Sequence, residues 1–306
     1  MSLSITYSYW YKLYFKFKRR LGEYADYGLK NPQWLLMFVF GRIHIIRSLM
    51  ILLASKPEII ISAVESSLFP EIDVNSVVDK LRKDGVCSEI NLPNYILNDI
   101  LEFTDQTYYF GNGKFELPFT LNNKKEQEAK YRKPFLFGYH YQPSLSCATI
   151  EKLQNDSKLW QIAAKYLVGK PILKSTTLWW SFATSLEQLD ERLRFAQGLF
   201  HYDLDDYRCL QFLFYLTDVD VSSGPHAYVK GSHIKKKLQY QLSIDRDKPD
   251  RELINYYGSE SVVTICGKAG SGFAEDQFCF HRANIPTKKD RLILQIKFVL
   301  NRYNFS

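Results

Sequence analysis

The sequence predicts an α+β fold with a mainly β core, a sandwich or barrel, preceded by a helical N-terminal extension. Three observations predict it. From about residue 135 the chain is a series of short β-branched and aromatic runs, punctuated by Gly, Pro, Ser and Asp. Residues 1–66 read instead as helices. The 21 Tyr and 21 Phe favour pleated, half-buried surfaces or aromatic-lined pockets. The extension is assigned to residues 1–66 and the β domain to residues 67–306.

The first long apolar stretch is "WLLMFVFGRIHIIRSLMILLAS", residues 34–55, with Pro32 near a helix start. It is long enough to span a bilayer, but Arg42, His44 and Arg47 near its middle are costly there. Gly41, His44, Arg47, Ser48 and Ser55 form a narrow polar stripe, with Arg42 off it. An amphipathic helix packed on the core is therefore expected. The alternatives are peripheral membrane contact through residues 10–55, beside the basic run Lys16 to Arg20, and a true membrane span. "ASKPEIIISAVESSLF" offers a further helix with Pro57 in its first turn.

In "DVNSVVDKLRKDGV" the residues Val74, Val77, Val78 and Leu81 share one helical face; Asp84–Gly85 ends the helix and Val86 begins a strand. "LPNYILNDILEFTDQ" is a helix entered at Pro93, and "LNNKKEQEAKYRKP" an exposed loop or helix. "SKLWQIAAKYLVGK" is a helix closed by Gly169. The expected strands lie in "PILKSTTLWWSFAT", "CLQFLFYLTDV", "HAYVKGSH", "SVVTICGKAGSGFAED" and "RLILQIKFVLNRY". Residues 239–257 read as an insertion over the barrel mouth.

The net charge of +7 is dispersed in short runs without a nucleic-acid motif. It reads as solvated surface, with an anionic substrate or a membrane surface as the other partners it would suit. The five cysteines are odd in number and none sits at C-x-x-C spacing, which argues against a disulfide framework and a thiolate zinc site. With no cleavable signal peptide visible, a cytoplasmic location is expected, with membrane association through the extension the variant of it.

The chemistry concentrates in "GLFHYDLDDYRCLQFLFYLTDVDVSSGPHAYVKGSH", residues 198–233, which holds His201, His226 and His233. On a strand, residues two apart point to the same face, so His201 and Asp203 converge while Tyr202 faces away. A third ligand would complete a facial 2-His-1-carboxylate site, the arrangement of non-haem Fe(II) oxygenases. His281, after the turn-forming Gly270 and Gly272, is the candidate. Ten residues on, Arg291 starts a strong strand and shares a face with Ile293 and Gln295. Its fork suits the far carboxylate of a dicarboxylic 2-oxoacid.

H-Y-D at 201–203, "YLTDVDVSSGPHAYVKGSH" at 215–233 and H-R-A-N with R-L-I-L at 281–294 together resemble the phytanoyl-CoA dioxygenase family of Fe(II)/2-oxoglutarate oxygenases. The match covers roughly residues 70–303, with "VVDKLRKDGVCSEINLP" similar to the family's usual beginning; Lys230 stands where the family usually has Pro. The resemblance implies a double-stranded β-helix, a cupin-like jelly roll. It implies Fe(II) held by His201, Asp203 and His281 as the catalytic centre, and 2-oxoglutarate anchored by Arg291. The expected activity is hydroxylation of a small-molecule substrate with release of succinate and CO2. Asp203 fills the corner that halogenating relatives leave for chloride. The histidine of the GSH segment is not a ligand in the family, so His226 and His233 are expected to hold the loop. Trp179, Trp180 and Phe182 are candidates for the substrate pocket or the core, and Tyr202 and Gln295 for cosubstrate contacts. The rival readings are a non-catalytic metal-binding jelly-roll module with a regulatory or binding role, and a zinc hydrolase, which leaves Arg291 without a task.

Overall fold

The computed structural model describes residues 22, 24–53, 67–184 and 199–303. Among the described residues, eleven strands form two antiparallel sheets. They are β1 (Val86–Ser88), β2 (Tyr109–Gly111), β3 (Pro118–Phe119), β4 (Phe137–Tyr141), β5 (Ile172–Ser181), β6 (Cys209–Tyr215), β7 (His226–Val229), β8 (Val262–Ile265), β9 (Gly272–Asp276), β10 (His281–Ala283) and β11 (Arg291–Val299). The large sheet has the order β1-β9-β6-β11-β5-β4-β2-β3 and the small one β10-β7-β8. After β6 the chain crosses to β7 and β8, returns to β9, crosses to β10 and returns to β11. This alternation between facing sheets is the jelly roll, the double-stranded β-helix.

Parity then sorts the side chains. Leu210, Phe212, Phe214, Leu292, Leu294 and Ile296 point outward into the largest apolar cluster, with Leu81, Ile96, Ile100, Leu159 and Ile162 of the covering helices. Leu213, Tyr215, Phe273 and Ile293 point inward and meet Tyr228 of the small sheet. The inner face is thus where polar groups meet between the sheets.

The helices follow local chemistry. Asp73 caps Val74–Asp84 by accepting from the Asn75 amide, and Val74, Val77, Val78 and Leu81 are all buried. Gly85 ends the helix with φ +81°, a conformation open to glycine. Asn94–Gln106 starts after Pro93, and the polar stretch 121–134 contains the helix Lys124–Tyr131. Ser157–Leu167 ends in a left-handed Val168, not at Gly169 as expected. Gly169 is bare for another reason: a Cβ there would come 2.6 Å from Leu300. Strands β2, β3 and β4 had no counterpart in the sequence reading.

The stretch 34–55 departs most from expectation. It is not one helix but two, Pro32–Phe40 and His44–Leu53, joined by a turn. The first buries Trp34, Met37 and Phe38 against Phe200, Tyr202, Leu204 and Phe280. The break falls at Gly41, where a Cβ would lie 2.5 Å from the Met37 carbonyl oxygen. The helix expected beyond residue 53 lies outside the described residues. Among those described, no helix is long and apolar enough to cross a membrane. Residues 239–257 also differ from the expected cover over the mouth. They contribute Tyr240 and Leu253 to the cluster behind the strands, in the helices Leu238–Leu242 and Asp250–Tyr257.

Candidate metal centre

His201 and His281 are directly opposed in an isolated antiparallel bridge. The His201 amide donates to the His281 carbonyl at 2.9 Å, and the His281 amide to the His201 carbonyl at 2.8 Å. Directly opposed residues share a face, so the two rings lie with centroids 4.7 Å apart. The Asp203 amide extends the pairing to the Gln277 carbonyl at 2.8 Å. His201, Asp203 and His281 each offer one ligand atom, and these atoms all lie within 4.8 Å of one another. Between the two ligand-type residues, Tyr202 turns away and donates its hydroxyl to the Tyr240 carbonyl.

The imidazole tautomers are set by backbone carbonyls. Nδ1 of His201 donates to the Leu199 carbonyl at 3.1 Å, and Nδ1 of His281 to the Cys279 carbonyl at 3.0 Å. A carbonyl only accepts, so each ring carries its proton on Nδ1 and keeps the Nε2 lone pair for a ligand. Asp203 accepts from Gln277 Nε2 at 3.0 Å, with its other oxygen free of that bond and its side chain one-third exposed (33%). Burial pushes the Asp203 carboxyl up, but His281 and His201 outweigh it and hold it below its usual value. For His281 burial dominates and lowers the imidazole pKa, which favours the neutral, ligating form.

Behind this trio stands a group that sequence reasoning missed. Glu275 is fully buried. It accepts from His226 Nε2 at 3.0 Å and from Gln211 Nε2 at 2.6 Å, and lies 4.0 Å from His281 Nδ1. Burial raises its pKa, yet His226 and His281 bring it below the usual value, so it is ionised. The signal was available: a carboxylate following Phe273 and Ala274 in the short strand "GFAED" is rarely buried without a partner. The His226 ring stacks on His281 at 5.6 Å. His226 thus reaches His281 through ring and carboxylate, while His233 Nε2 donates to the Arg82 carbonyl at 3.1 Å.

Arg291 is fully buried on the inner face, opposite Ser181. One nitrogen donates to Ser181 Oγ at 3.3 Å; Nε and Nη1 have no hydrogen-bond partner among the described residues. Burial pulls its pKa down, with Tyr215 and Tyr139 opposing. The Tyr215 hydroxyl accepts from the His226 amide at 2.9 Å and donates to the Ile265 carbonyl at 2.9 Å. A buried guanidinium with two unpartnered nitrogens suits an anion. A cleft of about 330 Å³ adjoins Asp203, walled by Tyr24, Tyr27, Trp34, Phe38 and Arg246. Of the aromatic candidates, Trp179 faces inward, whereas Trp180 and Phe182 pack with the outer core. Gln295 hydrogen-bonds Gln211.

Several solved structures have a similar fold. The epimerase SnoN from nogalamycin biosynthesis, described as non-haem and α-ketoglutarate-dependent, matches with TM-score 0.51 at 14% identity, over 74% of this chain and 82% of that one. EvdO2 from Micromonospora carbonacea var. aurantiaca, solved with 2-oxoglutarate, matches with TM-score 0.51 at 14% identity, over 78% and 94%. SnoN with Fe3+, α-ketoglutarate and nogalamycin RO gives TM-score 0.50 at 12% identity, over 74% and 83%. At such identities the likeness shows the fold. No family model matches the chain, and no curated protein matches it in sequence.

Proposed function

We propose that the protein is an Fe(II)- and 2-oxoglutarate-dependent dioxygenase that hydroxylates a small-molecule substrate. The observation that carries this reading is a pair of complementary vacancies in the bonding of one inner surface. Two imidazole Nε2 atoms and a carboxylate converge without a shared proton to hold, and Arg291 keeps two buried donors idle. A metal satisfies the first and a dicarboxylate the second. His201, Asp203 and His281 would hold the ion, and Arg291 the distal carboxylate of 2-oxoglutarate. When bound, iron and 2-oxoglutarate supply the oxidising power for dioxygen chemistry, with succinate and CO2 as the by-products.

The chain's own part is geometry and charge. The Leu199 and Cys279 carbonyls aim the imidazoles, Gln277 orients Asp203, and the Glu275–His226 pair backs His281. The aromatic cleft beside Asp203 is the substrate's approach, and Arg246 there suits an anionic group. That EvdO2 and SnoN hold 2-oxoglutarate and Fe3+ on a similar fold supports the reading. The test is succinate formation from 2-oxoglutarate by protein given Fe(II) and ascorbate, compared with His201→Ala, Asp203→Ala and His281→Ala. Loss of turnover and of bound iron in the three variants is expected. Bound iron with no turnover in the parent protein would leave a metal-binding module instead, and unchanged turnover in the variants would refute the site.

A further inference from the structure

The helix His44–Leu53 is inside out. Its one strongly basic residue, Arg47, is 5% exposed, while Ile45, Leu49 and Leu53 are 78%, 52% and 70% exposed. Residues at i, i+4 and i+8 lie on one face, so the outward face is an aliphatic stripe. The inversion is enforced from within. The Arg47 guanidinium lies 3.8 Å from the Phe278 ring centre and 3.9 Å from Asp276, which itself accepts from Tyr166 and the Phe278 amide. Arg42, in the turn, is likewise buried and donates to the Phe38 and Ser243 carbonyls.

The preceding helix repeats the pattern. Pro32–Phe40 spends Trp34, Met37 and Phe38 on the core and turns Leu35, Leu36, Val39 and Phe40 to the outside. The helix Leu238–Leu242, tied to the turn by Gln241 at the His44 amide, adds exposed Leu238 and Leu242. Scattered exposed leucines are ordinary, but a continuous face on two consecutive helices is not.

Charge distribution identifies what covers this face. Residues 1–55 hold eight Lys and Arg against two acids, Glu23 and Asp26; Arg42 and Arg47 are buried, and five of the other six lie between Lys12 and Arg20. No acid occurs from Tyr27 to Ser55, and the run Lys16–Arg20 lies just upstream. An aliphatic face in a segment that concentrates the positive charge matches a layer with an apolar interior and an anionic surface. A second copy of this chain would set like charges against each other. The break at Gly41 keeps either helix from spanning such a layer.

We propose that the helical pair Pro32–Phe40 and His44–Leu53 docks the protein on an anionic lipid surface, lying in the plane of the headgroups with Ile45, Leu49 and Leu53 inserted. The inference is independent of the metal centre.

The experiment is co-sedimentation of the full chain with phosphatidylcholine vesicles, with and without phosphatidylserine. Binding is expected with phosphatidylserine, weaker without it and weaker in high salt. The triple variant Ile45→Ser, Leu49→Ser, Leu53→Ser should bind at least ~10-fold less tightly, because it deletes the inserted groups while leaving the buried face intact. Circular dichroism should show the parent's helix content in that variant. Val221→Ser, which removes an apolar side chain 81% exposed elsewhere, should bind as the parent does. No vesicle binding by the parent, undiminished binding by the triple variant, or a parent dimer that the triple variant dissociates would each overturn the proposal.

Discussion

Three aspartates in "HYDLDD" do three different jobs. Asp203 faces the histidines, Asp205 pairs with Lys297 at 2.8 Å and Lys174 at 3.0 Å, and Asp206 accepts from the Leu300 and Asn301 amides at 2.7 Å each. Strand parity singled out Asp203, because a period of two depends only on sequence spacing. It could not find Glu275 as the partner of His226, since that contact joins residues 49 apart. For Arg291 strand parity set the face it shares with Ile293 and Gln295, and the structure adds the idle nitrogens. Arg291→Ala should therefore raise the KM for 2-oxoglutarate by ~10- to 100-fold or more, as hydrogen bonds to charged groups contribute roughly 1.5–3 kcal/mol each. Iron binding should be nearly unchanged, and Arg291→Lys should fall between; steady-state kinetics with calorimetry of 2-oxoglutarate binding reads both. Lys236 makes a second residue-level prediction. Its amine is buried with no hydrogen-bond partner among the described residues, 3.5 Å from the Phe280 ring centre and 4.1 Å from that of Tyr202. Burial pulls its pKa well below the ordinary value. Between that lowered value and about 10.4 the unfolded chain binds more protons than the folded one, so this group makes stability rise with pH. Lys236→Met should flatten that rise and stabilise the protein near neutral pH; urea unfolding at several pH values is the check, and an unaltered slope would count against it.

Elements were readable where one periodicity governs a whole segment. The helix Val74–Asp84 and strands β5, β6 and β11 come from patterns nine or more residues long or from dense aromatic and aliphatic runs. Strands β2, β3 and β4 span two to five residues, too few for a period to emerge, and exist through their neighbours' ladders. The break in residues 34–55 escaped because Gly41, His44 and Arg47 fit the polar stripe of one uninterrupted helix; the long-range partners of Arg42 and Arg47, Ser243 and Asp276, are not legible in the local sequence. Gly85 shows how an element's end reaches the site. Its carbonyl accepts from the Asp276 amide at 2.8 Å, and a Cβ would come 2.1 Å from Cys279 Sγ and 2.7 Å from His233 Nδ1. Gly85→Ala should cost at least ~2 kcal/mol, from the left-handed backbone and the overpacking together. The melting midpoint should fall accordingly, and a parental midpoint would show that the segment 276–281 yields more easily than its packing suggests.

At the scale of the whole molecule, the jelly roll is a frame that returns distant chain to one place. Residues 201–203 and 281 are separated by the whole excursion through β6 to β9, yet among the described residues they meet at a single isolated bridge. That bridge contributes only two backbone hydrogen bonds to the seam between the segments. An ion gripped from both sides would act there as a rivet. Because the unfolded chain cannot offer the three donors together, whatever binds them draws the folding equilibrium with it. At a free ion concentration 100 times its dissociation constant, the added stability is about 2.7 kcal/mol. Calorimetric scans with Fe(II) under anaerobic conditions should then move to higher temperature in proportion to the logarithm of ion concentration, and a chelator should reverse the shift. His281→Ala should abolish that response. With the proposed ion held there, the seam would make the chain's thermal endurance a gauge of its metal supply: a cell short of that metal would hold the protein in its weaker form, open to unfolding and removal.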